Sequence, residues 1–170
     1  GTQLAYKGYG TFTPNKGYGT LSTTDPKGQP YDIQFLHTKP LFAKLADTTT
    51  GQNIINYAVG KGCILIAAAG NDNVNTQFYP AAYNNVVSVA ATTSSNSKAS
   101  FSNYGSWIDV SAPGNNIYST TVGNSYGNKS GTSMASPMVA GLAGLMKSLN
   151  PNMPNSDLIN CLISTAANIN

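Results

Sequence analysis

An α/β fold with a largely parallel sheet is the fold class that the sequence predicts. From residue 53 onward, short continuous apolar runs alternate with longer segments of helical period, and this alternation is typical of chains in which helices connect parallel strands. Gly, Asn and Ser cluster between these segments, as expected where the chain turns.

Composition narrows the class further. The chain has 170 residues, which is enough for one domain, and 41% of them are hydrophobic, so a core can form. Only 9% are charged, with no Arg and no Glu, against about 25% in an average soluble domain. A coiled coil or a helical bundle with charged faces is therefore excluded.

Nucleic-acid and membrane partners are not expected. The net charge of +3 arises from residues scattered along the chain, whereas a nucleic-acid surface needs clustered basic side chains. The longest uninterrupted apolar run, residues 63–69, is far shorter than the ~18 residues of a membrane span. The chain starts at Gly1 without a signal-peptide pattern, so we expect a processed or truncated product.

Residues 1–52 differ in composition from the rest and are predicted to form a divergent segment rich in β-hairpins. Residues 7–11 recur as residues 16–20 with a turn sequence between them, which favours a polar, Tyr-rich hairpin. After a second turn sequence, residues 31–36 are typical of a short strand, and a brief helical pattern follows over residues 41–46.

The α/β part begins with a helix and continues with three strands. Residues 53–59 fit one helical face that ends at a pair of glycines, a common helix C-terminus. The apolar run of residues 63–69 is typical of a buried parallel strand, and residues 86–91 and 107–110 are predicted as the second and third strands. A hairpin with a Gly-Asn turn is predicted over residues 115–129.

Two helices complete the prediction. The first begins at Gly131, consists largely of small residues and runs to about residue 149, where Pro151 stops it. It is apolar on almost every side, so we expect it to contact sheet on more than one side. Asn155 or Ser156 is predicted to cap a last helix over residues 157–166.

The two cysteines, Cys63 and Cys161, do not have the spacing of a metal site. We interpret both as buried thiols, which behave as small hydrophobic side chains. A single disulfide bond between them is the alternative.

Ser133 lies in the first turn of the helix that starts at Gly131. Unpaired N–H groups and the positive end of the helix dipole meet there. An isolated serine in this place is usually a helix cap, but it can also be a nucleophile whose developing oxyanion is stabilised by the same helix terminus. A preceding glycine, which allows a substrate to approach closely, and the small residues that follow favour the nucleophile.

These residues resemble the serine motif of the subtilisin-like serine peptidases (subtilases), and most closely that of the thermitase branch. The serine motif is matched by residues 131–141, with Met138 where the family usually has His, and the oxyanion motif by residues 67–71. The resemblance covers about residues 53–170. Shorter motifs of the family occur in the same order at residues 78–80, 99–102, 104–110, 112–114 and 117–120.

The resemblance implies a partial subtilisin-like three-layer fold with a mostly parallel sheet and a central nucleophile helix. It implies that Ser133 is the nucleophile and that the side chain of Asn71 and the backbone N–H of Ser133 form the oxyanion hole. One wall of the pocket for the substrate residue before the scissile bond is implied at Ala67, Ala68, Ala69 and Gly70.

The resemblance also bears on cofactors. It implies that the reaction requires none, and it allows a weak structural site for calcium or a monovalent cation. The ligands of that site would be backbone oxygens near Ala81, Tyr83 and Val86 together with the carboxylate of Asp109. Without the resemblance, Asp109 would be interpreted as an aspartate at a turn or strand end.

Two motifs of the family are missing from the sequence. Subtilases carry an Asp-Ser/Thr-Gly motif and then a His-Gly-Thr-His motif before the serine, and neither occurs here. The single histidine, His37, and the faint aspartate motif at Asp47 stand in the reverse order with unmatched neighbours. They are therefore weak candidates for a rebuilt triad. Because a serine without a base is a poor nucleophile at neutral pH, the chain alone is predicted to be weak or inactive.

Three functional hypotheses follow. The first is the nucleophile-bearing part of a secreted serine endopeptidase, which acts on peptide or protein substrates when an N-terminal fragment supplies the missing Asp and His. The second is a non-catalytic binding or structural module derived from a subtilase. The third gives His37 and Asp47 the missing triad roles. The low charge and the resemblance both point to secretion.

Overall fold

The structure, a computed structural model, describes residues 18–24, 30–36 and 48–169, with the backbone alone for the first two ranges. The chain separates into two compact units, Gly1–Lys44 and Leu45–Asn170. Among the described residues, the first unit contains a hairpin and the second contains the α/β part of the chain.

The hairpin of the first unit pairs β1 (Tyr18–Thr24) with β2 (Pro30–Leu36) in antiparallel register, so that Tyr18 is opposite Leu36. The strand predicted over residues 31–36 is therefore confirmed, with one additional residue at its start. Residues 18–20, expected to pair with residues 7–11, pair with β2. Residues 7–11 and the helical pattern of residues 41–46 lie outside the described residues.

The second unit alternates helices with strands, as the sequence predicts. Its central sheet is parallel and has the strand order β3-β4-β5, and β6 and β7 form a separate antiparallel hairpin. The α/β prediction with a mostly parallel sheet is confirmed. The elements in chain order are α1 (Thr49–Gly60), β3 (Leu65–Ala68), β4 (Val86–Thr92), β5 (Val110–Pro113), β6 (Ile117–Thr121), β7 (Ser125–Lys129), α2 (Thr132–Leu149) and α3 (Asn155–Ser164).

The core of the second unit lies between the sheet and the last two helices. Every residue of the central strand β4 is buried, and α2 packs against all three parallel strands and against α3. A parallel strand that is covered on both faces consists of nearly continuous apolar residues. This explains why β4 could be predicted from the sequence. The buried core consists of Val87, Val89, Ala91, Ala99, Ala112, Ala135, Val139, Ala143, Leu158 and Leu162.

The third parallel strand was predicted to begin at Trp107, but it begins at Val110. Before the regular ladder, Trp107 and Asp109 are bound to Ser88 of β4 by side-chain bonds as well as by one backbone bond, from the N–H of Asp109 to the Ser88 carbonyl at 3.3 Å. The Ser88 hydroxyl donates to the carbonyl of Trp107 at 2.8 Å, and the Ser88 backbone N–H donates to the Asp109 carboxylate at 2.7 Å. These bonds turn the chain over the neighbouring strand before regular pairing starts.

Two helices begin earlier than predicted because their caps differ. Thr48 accepts a hydrogen bond from the N–H of Gly51 at 3.0 Å, so α1 starts at Thr49 rather than at Asn53. Pro154 is the N-cap of α3, whereas the side chain of Asn155, one of the two predicted caps, donates to the Gly62 carbonyl at 2.8 Å.

The cover of α2 is uneven. Thr132, Ala135, Val139 and Ala143 are buried against the sheet and α3, whereas Leu145 on another side is 64% exposed. We expected sheet on more than one side of α2, and the described residues of the second unit supply it on one side only. No helix in the described part of the chain has the length and apolar content needed to cross a membrane.

Both cysteines are free thiols in the structure. Cys161 is half-buried in α3, but Cys63 is exposed. The expectation of a buried Cys63 was wrong because β3 begins only at Leu65, which leaves Cys63 in the loop after α1.

Candidate active site

The loop after β3 and the start of α2 meet where the candidate catalytic residues lie. Asn71 follows β3 after two residues, and Ser133 is the second residue of α2. Thr132 joins the two segments, because its backbone N–H and its hydroxyl both donate to Asn71 Oδ1, at 2.8 Å and 3.0 Å. The structure thus brings the predicted oxyanion motif and serine motif together.

The two bonds from Thr132 determine the orientation of the Asn71 amide. A backbone N–H can only donate, so the Asn71 atom that faces it must be the oxygen. The nitrogen Nδ2 therefore keeps its two N–H groups for another acceptor. It lies beside the residue before the helix, since a Cβ built on Gly131 would be 3.6 Å from Asn71 Nδ2.

The first turn of α2 provides a second donor. Its early N–H groups have no acceptor within the helix, and the N–H of Ser133 is one of them. The Ser133 side chain is exposed, in contrast to the fully buried Thr132. A Cβ built on Gly131 would lie 3.6 Å from Asn71 Nδ2 and 3.7 Å from the Ser133 nitrogen, so both donors lie at the same end of the helix. Two N–H donors at the positive end of a helix can stabilise the oxyanion that forms on a carbonyl attacked by the Ser133 hydroxyl.

Gly114 allows the start of α2 to approach the sheet closely. The N–H of Gly131 donates to the carbonyl of Gly114 at 2.8 Å. A Cβ on Gly114 would lie 2.6 Å from the Ala91 Cβ and 2.8 Å from the Gly131 carbonyl oxygen, distances that real Cβ atoms do not tolerate. A side chain at position 114 would therefore displace the segment that carries Ser133.

The predicted pocket wall lies at the end of β3 and just beyond it. Ala67 and Ala68 are half-buried, and Ala69 and Gly70 are buried. Among the described residues, β3 is an edge strand that pairs with β4 alone. The assignment of these four residues to a substrate pocket stays a prediction.

The candidates for a rebuilt triad, His37 and Asp47, lie outside the described residues. Their proposed role therefore stays a prediction. His37 is also the single histidine of the sequence, so the described part of the chain has no histidine that could act as the base.

The residues predicted to hold a cation already take part in hydrogen bonds. Oδ2 of Asp109 accepts from the backbone N–H of Ser88 at 2.7 Å and lies 2.8 Å from the Ser88 hydroxyl oxygen, whose single proton it shares with the Trp107 carbonyl. The Tyr83 carbonyl accepts from the N–H of Val86 at 3.3 Å. Ala81 is buried nearby in the chain. Calcium prefers six to eight oxygen ligands, so a set with one carboxylate would suit at most a weak site. The cation site stays a prediction.

Sequence reasoning missed two residues at this site. It treated Thr132 only as part of the serine motif, and it did not single out Asn103, whose buried side chain binds the loop that contains Asn71. No local signal could have found Asn103, because its partners lie about 30 residues away in the sequence.

The comparisons with known proteins agree on one family. The profile of the subtilase family matches residues 36–170. The chain is 55% identical over 105 residues to the thermophilic serine proteinase of Bacillus sp. (strain AK1), which covers 62% of this chain and 26% of that protein. It is 49% identical over 104 residues to thermitase of Thermoactinomyces vulgaris, covering 61% and 37% of the two chains.

A similar solved structure belongs to a group titled proteases from Pseudoalteromonas arctica PAMC 21717. It superposes with a TM-score of 0.69 at 38% sequence identity and covers 73% of this chain and 42% of that one. Subtilisin BL of Lederbergia lenta is 42% identical over 122 residues, which are 72% of this chain and 45% of that protein. The chain thus spans between about a quarter and a half of the length of these relatives.

Proposed function

Because the chain belongs to the subtilase family, we propose that it carries the nucleophile-bearing part of the active site of a serine endopeptidase. Ser133 is the nucleophile in this proposal, and Asn71 Nδ2 and the N–H of Ser133 bind the oxyanion. The observation that carries the proposal is the pair of hydrogen bonds from Thr132 to Asn71 Oδ1. They hold the amide oxygen and leave the nitrogen to donate next to Ser133.

The proposed reaction is peptide-bond hydrolysis through an acyl intermediate. The Ser133 hydroxyl oxygen attacks the peptide carbonyl carbon and loses its proton to a base, and the two N–H donors stabilise the tetrahedral oxyanion. The C–N bond then breaks, the leaving amine takes a proton from the protonated base, and water releases the acyl group. The histidine base and its aspartate would come from a segment that carries the missing motifs.

The magnitudes explain why the chain alone is expected to be weak. In subtilisin, loss of the serine or the histidine costs about 10⁶ in turnover, and the oxyanion hole with substrate binding retains about 10³–10⁴ over the reaction in water. In this proposal, the chain keeps the two oxyanion donors, which are among the groups responsible for that residual rate. It lacks a recognisable base, which is responsible for the larger part.

A complementing fragment is the partner that we propose. Among the residues that the structure describes, no strand pairs with the second edge of β3. The exposed side of α2 has apolar side chains that the described elements of the second unit do not cover. Both features support docking of an N-terminal catalytic fragment that bears the Asp and His motifs. Protein or peptide substrates and secretion are proposed on the same family relationship.

Labelling with a fluorophosphonate serine probe tests the proposal. We expect little or no adduct on the chain alone under conditions that label an intact subtilisin. Addition of a fragment with the Asp and His motifs of a close relative is expected to produce an adduct that maps to Ser133 and is lost in Ser133→Ala.

Two results would contradict the proposal in different ways. A stoichiometric adduct on the chain alone that disappears in His37→Ala would mean that the triad is rebuilt within this chain. Binding of the fragment without any adduct on Ser133 would favour the non-catalytic module.

A further inference from the structure

We propose that Asn103 is a positioning residue that sets the direction of the Asn71 side-chain donor. This inference rests on the proposed function, since the direction of the donor matters only where an oxyanion forms. Asn103 lies between β4 and β5 in the sequence, and its side chain is fully buried. It is not proposed to touch the substrate, so any effect on turnover must pass through Asn71.

Asn103 binds the backbone on both sides of Asn71. Before Asn71, its Nδ2 donates to the carbonyl of Ala69 at 2.9 Å, and its backbone N–H donates to the carbonyl of Gly70 at 3.0 Å. After Asn71, its Oδ1 accepts from the N–H of Asp72 at 2.9 Å and from that of Val74 at 3.3 Å. Four hydrogen bonds from one residue therefore bracket the proposed oxyanion donor.

Only an amide side chain can make this set of bonds. The oxygen must face two N–H donors and the nitrogen must face a carbonyl. A leucine of similar shape would remove the partner of three backbone groups, of which the Ala69 carbonyl is buried. An ionised aspartate would place an oxygen against the Ala69 carbonyl and bury a charge. The Lys98 ammonium lies at the neighbouring Ser102 carbonyl, at 3.3 Å, but it cannot replace the lost donor to Ala69.

The loop also lacks room to shift towards Asn103. Gly70 has a φ of +104°, and a Cβ built on it would lie 2.4 Å from Asn103 Nδ2. Neighbouring backbone bonds continue the contact, because the N–H of Asn73 donates to the carbonyl of Phe101 at 2.9 Å and that of Tyr104 to the carbonyl of Val74 at 3.1 Å. The backbone around Asn71 is therefore fixed against one rigid segment.

Asn71 is held from two directions. Asn103 fixes the backbone on either side of it, whereas Thr132 holds its side-chain oxygen and, through the same hydroxyl, accepts from the N–H of Gly70 at 3.1 Å. A catalytic group must stay within about 0.5 Å of its productive position. Without the Asn103 side chain, three of the four bonds are lost and only its backbone bond to the Gly70 carbonyl remains. Thr132 would still hold the Asn71 oxygen, so the less tightly held backbone on either side would change the direction of the amide.

A coupling experiment distinguishes positioning from a general structural role. The substrate is an activated peptide p-nitrophenyl ester, hydrolysed by the full chain with and without the complementing fragment. Asn103→Ala is expected to lower kcat about tenfold with KM little changed, which is less than the ~10²–10³ that loss of an oxyanion donor costs. In an Asn71→Ala background, the same substitution should cause no further loss.

A matched control separates the effect from loss of stability. Ser88 is equally buried and hydrogen-bonded, but its partners are Trp107 and Asp109. Ser88→Ala should therefore destabilise the fold without changing kcat. A loss of kcat for Asn103→Ala that persists unchanged in the Asn71→Ala background would overturn the inference.

Nuclear magnetic resonance of the side-chain amide of Asn71 gives a readout that does not depend on activity. We expect Asn103→Ala to shift or broaden this signal and to accelerate exchange of the Asp72 and Val74 amide hydrogens, whereas Ser88→Ala leaves all three unchanged. In Asn103→Asp, the wild-type signal should return as the pH falls and the carboxyl becomes protonated, because the neutral acid regains a donor for the Ala69 carbonyl.

The two readouts separate failure of the inference from failure of the proposed function. If no ester hydrolysis depends on Asn71 even with the fragment present, the proposed function fails, and the resonance experiment still decides whether Asn103 positions Asn71. An Asn71 signal that is unchanged in Asn103→Ala would overturn the inference even if the enzyme is active.

Discussion

The two sides of α2 differ in how completely the other elements of the second unit bury them. At its start, Thr132 is fully buried and bonded to the loop after β3, and Gly131 is bonded to Gly114. On the other side of the helix, the side chains of Leu142, Leu145 and Leu149 are 49%, 64% and 87% exposed. Side chains that are only partly covered gain only part of the free energy of burial, so this side contributes less than the first to the stability of the unit.

This difference separates the two halves of the proposed catalysis. The groups proposed to stabilise an oxyanion all lie among the described residues, and both proposed donors belong to segments that bind each other directly. The base has no counterpart among those residues. The complementing fragment is proposed to pack where the described residues leave one side of α2 and one edge of β3 uncovered. Substitutions on the covered and on the uncovered side of α2 can test this difference.

The largest effect on the free energy of unfolding is expected in the core that buries one side of α2. Leu158 of α3 is fully buried in the core, and Leu158→Ala should lower the free energy of unfolding by about 2–5 kcal/mol through lost burial and a cavity. Urea denaturation followed by circular dichroism measures it. A change below about 1 kcal/mol would mean that α3 is not part of the cooperative core.

The next effect concerns turnover rather than stability. Asn71→Ala in the complemented enzyme should lower kcat by about 10²–10³, equivalent to about 2.7–4 kcal/mol, because one of two oxyanion donors is lost. Steady-state hydrolysis of a peptide substrate measures kcat and KM. The proposal is wrong if only KM changes, since that pattern indicates equal loss of ground-state and transition-state binding.

Gly114→Ala tests whether the close approach of α2 to the sheet matters. The new methyl group would meet the Ala91 Cβ and the Gly131 carbonyl, and overpacking of this kind costs about 1–3 kcal/mol. Fluorophosphonate labelling of the complemented protein should slow as the Ser133 segment moves. Gly127→Ala is a matched control, because Gly127 has no positive φ and a Cβ there would meet the Thr121 Cγ2 at an ordinary 3.5 Å.

The smallest effect on stability is expected on the uncovered side. Leu145→Ala should change the free energy of unfolding of the chain by less than about 0.5 kcal/mol, as at other exposed positions. It should nevertheless weaken binding of the complementing fragment, measured by calorimetry, because that side would then be covered. An unchanged affinity would mean that the fragment docks elsewhere.

Some parts of the fold could be predicted because the residues concerned determine their own conformation. The turn of the β6–β7 hairpin falls at Gly123 and Asn124, which have the positive φ angles that these residue types tolerate. The apolar run of β4 was recognised because a central parallel strand is buried on both faces. The limits of α2 followed from Gly131 and from the proline after it.

Other boundaries could not be predicted because a distant side chain sets them. β5 starts late because Ser88, about 20 residues earlier, binds Trp107 and Asp109. α3 starts early, and Asn155 does not cap it because its side chain binds Gly62. Periodicity in a short window contains no information about such partners.

The sequence by itself determined the fold class and, through its motifs, the two residues proposed for the oxyanion and the nucleophile, Asn71 and Ser133. Only the tertiary structure decided how they are held, since the bonds from Thr132 and Asn103 to the loop after β3 join residues 29 to 62 positions apart. A motif records which chemical groups are present, whereas their direction depends on hydrogen bonds that form only after the strands and helices have packed.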